Sequence, residues 1–318
     1  MALTGCKGPR RERSFAASSR NPEGPAPDQA PRVLVLIATA HGRTEWLVDR
    51  ALRSVYAQAD CGSRHVHVLI VDDNEPVAGA AASGRLGMIQ DAVARLRSAV
   101  ALPDDLFSTK VIANARTHGH SGSGAWNTGI QQFATEADAR DSFIALLDDD
   151  DEWLPEYLSA CLARVAPRTV AVFAHLEWVD ERGSSPRPFA AEDLTPEAFF
   201  IGDPGVQGSN MFIATRLLAR IGGFDEAFTG SCDRELMIRL LDDVRVDEEI
   251  VVVPTVLVRH HHHRGPSVTT DLAAKHRALD RLYALYGARF SEAARRASLR
   301  RAQHLFGYRP RSVAGESP

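Results

Sequence analysis

Cysteine is scarce in this chain. Its four cysteines, Cys6, Cys61, Cys161 and Cys232, stand far apart and none falls in a C-x-x-C pair. That excludes a disulfide framework or a zinc site built on paired thiols, and it fits a reduced, cytoplasmic protein. Long hydrophobic runs are missing too. The longest, residues 33–40 and 250–258, are less than half of a bilayer span, so no transmembrane segment is expected and both read as buried strands. Lys7, Arg10, Arg11 and Arg13 are followed by no apolar stretch, which argues against a secretory signal. Nor does one charge dominate. A net charge of −4 over 318 residues gives no reason to expect nucleic acid or an anionic membrane as a partner. No internal repeat is present.

What is present points to an α/β protein. With 44% hydrophobic and 25% charged residues, the chain suits one globular domain of roughly 250 to 280 residues with an appendage. Residues 1–31, rich in Arg, Ser, Pro and Ala, cannot bury a core and are expected to form a disordered tail. Order begins at R-V-L-V-L-I-A-T, residues 32–39, a β-branched run typical of a central parallel strand. A helix over 44–58, carrying Val48, Leu52 and Val55 on one face, and a strand over 67–72 complete a βαβ unit. Helices over 80–100 and 124–136 alternate with strands over 109–114 and 143–147. Beyond these, a helix over 155–165 and a strand over 169–175 are expected. After Pro186 the pattern loosens, leaving recognisable segments at 217–221, 234–241 and a strand over 250–258, then one terminal helix over 271–303. The boundaries drawn are a main domain over 32–270, divided at 155 into a nucleotide-binding half and an acceptor half, and a C-terminal helix and tail over 271–318.

The most informative segment is Leu146-Leu147-Asp148-Asp149-Asp150-Asp151-Glu152-Trp153. Five consecutive acids repel one another at the carboxyl end of an apolar strand, where ligands bind in open α/β sheets. A divalent cation would relieve that repulsion, since Mg²⁺ and its like take one or two carboxylates and complete their shell with water and phosphate oxygens. The plainer alternative is a solvated acidic turn capping the helix that follows Pro155.

This segment resembles the L-D-x-D-D-x-W-x-P stretch of the family-2 glycosyltransferases, and other pieces follow in that family's order. Ile37-Ala38-Thr39-Ala40-His41 stands where the family has its first-strand P-T-Y-N, and Ser54 and Gln58 match the S-x-x-x-Q of its first helix. Val71-Asp72-Asp73-Asn74 resembles V-D-D-x-S, and Ala125-Trp126-Asn127-Thr128-Gly129-Ile130 resembles A-R-N-x-G-I. Gly222-Gly223-Phe224-Asp225-Glu226 with the later Asp233-Arg234-Glu235-Leu236 resembles G-G-F-D-E…E-D-x-D-L. Departures stand beside the matches: Ala38 and Ala40 replace a proline and a tyrosine, Trp126 replaces an arginine, and Cys232 replaces a glutamate.

The resemblance implies a GT-A fold, a Rossmann-like nucleotide-binding sheet with a less regular acceptor-binding half. It implies an inverting glycosyltransferase that uses a nucleotide-diphosphate sugar, UDP favoured, and a divalent cation, Mn²⁺ or Mg²⁺. Donor contacts are then expected from Thr39, Asp73, Asn127, Asp148 and Asp149, with Asp73 accepting a hydrogen bond from the base. The metal falls to Asp150 with Asp148, and to His261 from the run His260–His263, which sits in the family's R-x-H…S stretch with Arg259 and Ser267 in register. Asp233 matches the general base that takes the acceptor's hydroxyl proton. Gly208, Ser209 and Asn210 fall where the family meets its acceptor, a small molecule or saccharide. Two other readings stay open. A sugar-phosphate nucleotidyltransferase would need a Gly-rich loop after the first strand, and Ala40-His41-Gly42-Arg43 lacks one. A non-catalytic nucleotide-sugar-binding relative would have no need of a base at Asp233. Sugar, acceptor, linkage and oligomeric state are not readable from the residues.

Overall fold

The computed structural model describes residues 32–40, 42–59, 61, 65–74, 82–102, 106–134, 142–262 and 271–310. The tail assigned to residues 1–31 lies outside them, as do His263 and Ser267 of the histidine segment. Three apolar runs make the centre of the sheet: β1 (Val33–Thr39), β2 (Val66–Asp72) and β4 (Phe143–Asp148). β1 pairs in parallel with both neighbours, and β3 (Phe107–Ala113) extends the sheet in parallel beyond β2. The run reads as continuous hydrophobic sequence because a central parallel strand is covered on both faces, and Val33 to Ile37 are at most 2% exposed.

Helical crossovers cover these strands. After β1 come α1 (Thr44–Trp46), a wider π-helical turn over Leu47–Leu52, and α2 (Arg53–Tyr56). α3 (Ala82–Ala99) links β2 to β3, and α4 (Ser123–Ala134) links β3 to β4. Gly129 explains its own place in the A-x-N-x-G segment. A Cβ there would lie 2.1 Å from Leu36 Cδ1 on β1, so only glycine lets α4 press this close to the central strand.

Past β4 the direction of the strands changes. β5 (Glu152–Trp153), α5 (Tyr157–Leu162), β6 (Thr169–Asp180) and β7 (Gly183–Arg187) come next. Then follow α6 (Pro196–Ile201), β8 (Met211–Ala214), α7 (Thr215–Ile221), α8 (Cys232–Asp243) and β9 (Glu249–His261). The sheet order is β3-β2-β1-β4-β8-β6-β9-β5, with β7 paired to β6 as a hairpin. β8 runs antiparallel to β4 and β6, β9 runs parallel to β6, and β5 lies antiparallel on β9. The result is a mixed α/β fold around a mostly parallel sheet.

Three sequence-based expectations need correction. The terminal helix is two helices, α9 (Leu272–Tyr286) and α10 (Glu292–Phe306), because Ser291 Oγ accepts the Ala294 N–H and starts a new helix. β6 runs on to Asp180 and turns back through β7, a hairpin the period did not signal. β9 continues through His260 and His261, three residues beyond the strand expected over 250–258. The last two helices pack on α6: Ser298 Oγ donates to Phe200 O at 2.7 Å and Phe290 stacks on Phe200 at 4.5 Å. Among the described residues no helix is long and apolar enough to cross a membrane.

Candidate active site

The carboxyl ends of β1, β2 and β4 open on the same side, and the acid segment leaves β4 there. A tight turn at Asp151, whose N–H meets Asp148 O at 3.2 Å, feeds the chain into β5. β5 pairs Glu152 with Arg259 of β9, which lays the histidine segment against the acids. Helix α2 holds this turn from behind. Gln58 Nε2 donates to Leu154 O at 2.9 Å, Gln58 Oε1 accepts from Leu158 N at 2.8 Å, and Ser54 Oγ accepts from Trp153 N at 3.1 Å. The S-x-x-x-Q spacing therefore serves the acid turn as a clamp, one helical turn presenting two side chains to its backbone.

The four aspartates point to two sides. Asp149 is buried, accepting from Thr39 Oγ1 at 2.8 Å and from Arg43 at 2.7 Å, and Asp150 accepts the same guanidinium at 2.6 Å. Burial pushes the Asp149 carboxyl up to about 7, against the pull of Arg43. On the other side, Asp148, Asp151 and His260 come together, each offering a ligand atom within 4.8 Å of the others. Asp151 is fully buried. Its oxygens accept from Ser209 Oγ at 2.5 Å and His261 N at 2.9 Å, and one lies 2.8 Å from His260 Nδ1. Burial works against a charged His260, yet Asp151, with Asp148 and Asp150 behind it, raises its pKa to about 9. Burial would raise Asp151 as well, but the imidazolium and these donors hold it below the usual carboxylate range. Asp148 is pushed well up, by burial and then by the charges of Asp151, Asp150 and Asp233.

The expected metal set was Asp150, Asp148 and His261. Of these only Asp148 joins the cluster. Asp150 turns to Arg43, and His261 sets Nε2 3.5 Å from Glu152 Oε1. Alternation along β9 explains the exchange, since adjacent strand residues face opposite ways. Two carboxylates and an imidazole in an under-neutralised pocket suit a divalent cation such as Mn²⁺ or Mg²⁺.

The other expected residues divide in the same manner. Asp73 sits at the end of β2, where its carboxylate accepts from Asn114 Nδ2 at 2.7 Å and Gly119 N at 3.0 Å; burial nevertheless raises its pKa. Asn127, expected at the donor, is turned inward: its Nδ2 donates to Phe224 O and Glu226 Oε1, and its Oδ1 accepts from Phe224 N at 2.8 Å. Gly223, at φ 69°, makes room for it, because a Cβ would lie 2.3 Å from Asn127 Oδ1. Asn210, expected at the acceptor, is wholly buried and ties Ala174 O, Gly205 O and Gln207 N together. Ser209 lies between Asp148 and Asp151. Gly208 is next to the Asp148 carboxylate, where a Cβ would come within 3.6 Å of Oδ2. Gly208 and Ser209 thus lie against the acids, while Asn210 ties backbone behind them.

Asp233 lies in the first turn of α8, near enough for its charge to act on Asp148. Burial and then the charge of Asp203 push its carboxyl up to about 6, opposed by Cys232 and Lys275. Cys232 Sγ lies 3.6 Å from its Oδ1. Arg43 escaped the reading of the sequence. Arg43 follows a turn at Gly42, φ 78°, and its position four residues past β1 was the available signal. Trp126, in place of an arginine, stacks on Phe224 at 6.3 Å in the core, and Arg43 brings a cation to the acid cluster.

Residues 94–214 match the family model Glycosyl transferase family 2. No curated protein matches the sequence. Among solved structures, Staphylococcus aureus TarS residues 1–349 in complex with UDP-GlcNAc superposes with a TM-score of 0.59 at 15% identity, over 86% of this chain and 73% of that one. Mannosyltransferase PcManGT from Pyrobaculum calidifontis, in complex with GDP-Man and Mn²⁺, gives 0.54 at 16% identity, over 91% of this chain and 77% of that one. Residues 94–214 thus match the glycosyl transferase family 2 model, and the chain has the GT-A fold of these solved glycosyltransferases.

Proposed function

We propose that the protein transfers a sugar from a nucleotide diphosphate, UDP favoured, to a hydroxyl of a small-molecule or saccharide acceptor, with inversion at the anomeric carbon. The observation that carries this reading is the pairing of Asp233 with the acid cluster. One carboxyl tuned to about 6 faces a pocket of clustered acids whose like charges demand a cation. A base near neutrality removes the acceptor's proton efficiently, and a mere binding module has no use for one. Attack by the acceptor oxygen from the side opposite the diphosphate, with departure of the nucleoside diphosphate, would invert the anomeric centre.

Asp148, Asp151 and His260 would hold the cation, which when bound supplies positive charge for the leaving diphosphate. Arg43 would add a fixed charge from the β1 side. Asp73 keeps acceptor capacity for a base N–H beyond its two internal donors. That both solved relatives were captured with nucleotide sugars, one with Mn²⁺ beside it, supports the class of donor but not its base. The test is a thermal-shift screen of UDP, GDP, ADP and TDP with and without Mn²⁺, followed by donor hydrolysis. A ligand at 100 times its dissociation constant adds roughly 2.7 kcal/mol of stability. No shift with any diphosphate, in either condition, would refute the proposal.

A further inference from the structure

A second group of side chains lies on the same sheet face as His260 and has no role in the site described so far. Register places it there. Trp178 of β6 is opposite His260 of β9 and opposite Ser185 of β7, so His262 and Arg187, each two residues along, share that face. The Arg187 guanidinium carbon lies 3.5 Å from the centre of the Trp178 ring, a separation that only flat stacking allows. The His262 ring meets Trp178 edge-on at 4.7 Å and His260 at 5.0 Å. A continuous path of rings therefore runs from Arg187 to the Asp148–Asp151 cluster.

These side chains hold three unmatched nitrogens. Trp178 Nε1, Arg187 Nε and His262 Nε2 are shielded from solvent and meet no hydrogen-bond partner among the described residues. Shielded polar groups normally find partners, and leaving three unpaired in one place is costly. Indole and guanidinium can only donate, and imidazole donates from Nε2 in one tautomer. Arg187 also faces no carboxylate among the described residues, unlike Arg43, Arg220, Arg239, Arg259 and Arg281, which are all ion-paired. A group of donors around an unpaired guanidinium calls for an oxyanion.

We propose that Arg187, Trp178 and His262 form a subsite for an anionic group, phosphate or carboxylate, carried by the acceptor. Its assignment to the acceptor rests on the transferase reading. In the sheet order, β6, β7 and β9 lie beyond the acid cluster from β1 and β2, whose ends carry the nucleotide contacts, so a substrate entering here reaches the site from the side opposite the donor. The stacked guanidinium makes no hydrogen bond among the described residues, which leaves its terminal nitrogens to take a bidentate contact, and the indole holds it in place.

The test reads the subsite directly. The metal-free protein is titrated with inorganic phosphate, D-glucuronate and D-glucose, followed by the indole N–H resonance of Trp178, which is identified by its loss in Trp178→Phe. Phosphate or glucuronate should move that resonance saturably, the responding anion telling phosphate from carboxylate, while glucose leaves it in place. Arg187→Ala should weaken the response about tenfold or more, and Arg187→Lys by less, because lysine keeps the charge and loses the fork. A Trp178 resonance that no anion moves, or that moves equally in Arg187→Ala, overturns the subsite. Donor hydrolysis by the wild-type chain, measured in parallel, reports on the transferase reading alone, so the two failures are separable.

Discussion

Replacing Asp233 by asparagine should damage catalysis and strengthen the fold at once, because burial is responsible for both properties. The carboxyl is displaced from an ordinary 3.8 to about 6. Below pH 3.8 it is neutral in folded and unfolded chains alike and has no effect on stability. As pH rises, the unfolded chain loses this proton first, and the folded chain resists until about 6. Above that the ionised group destabilises the fold by at most about 3 kcal/mol, a shift of about two units at about 1.4 kcal/mol each. The side chain is half-buried, so solvent lowers this ceiling. Asparagine has the same shape and no charge, and it removes the penalty. At pH 7.5 the variant should be more stable by about 1 to 3 kcal/mol, and at pH 4.5 by about a third of that. For a domain of this size the first figure is a rise of about 2 to 10 °C in melting temperature.

Turnover should move the other way, by a factor of about 10² to 10⁴, with little change in donor affinity. For the wild type, kcat/KM should fall with unit slope below pH about 6 as Asp233 takes up its proton. Differential scanning fluorimetry at two pH values and a product assay for released nucleoside diphosphate measure both sides. A variant that melts below wild type at pH 7.5 would show that no raised pKa exists. A variant that transfers at near the wild-type rate would move the base elsewhere. Glu235 and Asp225 are poor substitutes, since Arg239 and Arg281 pair with them at 2.6 Å, which leaves Asp203 beside it.

The remaining predictions concern the cation and its supports. EDTA should abolish transfer, and Asp151→Asn should weaken Mn²⁺ binding in calorimetry more than Asp150→Asn does; the reverse order would return the metal to the Asp150 side. Arg43→Ala should weaken nucleoside diphosphate binding about tenfold or more at fixed Mn²⁺, as expected for loss of a charge-assisted contact, and unchanged affinity would remove Arg43 from the donor site. Gln58→Ala should cost about 1 to 3 kcal/mol in urea denaturation, because it orphans the N–H of Leu158 and leaves the Leu154 carbonyl with the Tyr157 N–H alone; a loss under half a kcal/mol would mean that water replaces the clamp.

Much of the fold was legible in the residues, for a reason that also marks the limit of such reading. β1, β2 and β4 announce themselves because a strand covered on both faces must be apolar throughout, and the acids that follow β4 stand out against it. The motifs were equally visible, but visibility did not disclose role. Ser54, Gln58, Asn127, Ser209 and Asn210 are polar residues in a motif order, which fits a ligand contact as well as it fits a buried tie. The structure shows each of them holding protein backbone or another protein side chain. A buried backbone group needs a partner as strictly as a ligand does, and both needs constrain residue type alike. Local pattern cannot separate them, because the partners of Asn127 lie about a hundred residues away in sequence.

The choice among the four aspartates shows the same limit more sharply. In sequence they are equivalent neighbours, and family register favours Asp148 and Asp150. In space, the pairing of Glu152 and Trp153 with Arg259 and Val258 decides the matter. That short strand turns Asp151 toward β9, and the alternation of β9 then presents His260 and withholds His261. Had β5 paired one residue further along, His261 would face the acids and His260 would face away. A two-residue strand therefore selects which imidazole reaches the acid cluster. It is too short to leave a periodic signal, and its register is set by a partner more than a hundred positions downstream. The alternation of β9 that presents His260 to Asp151 also puts His262 on the Trp178 face, but the β6–β9 register, and not that of β5, sets the second contact. A mutation that slipped β5 against β9 should therefore disturb cation binding and spare the anion subsite, which rests on the β6–β9 register, whereas Arg187→Ala should disturb only anion binding.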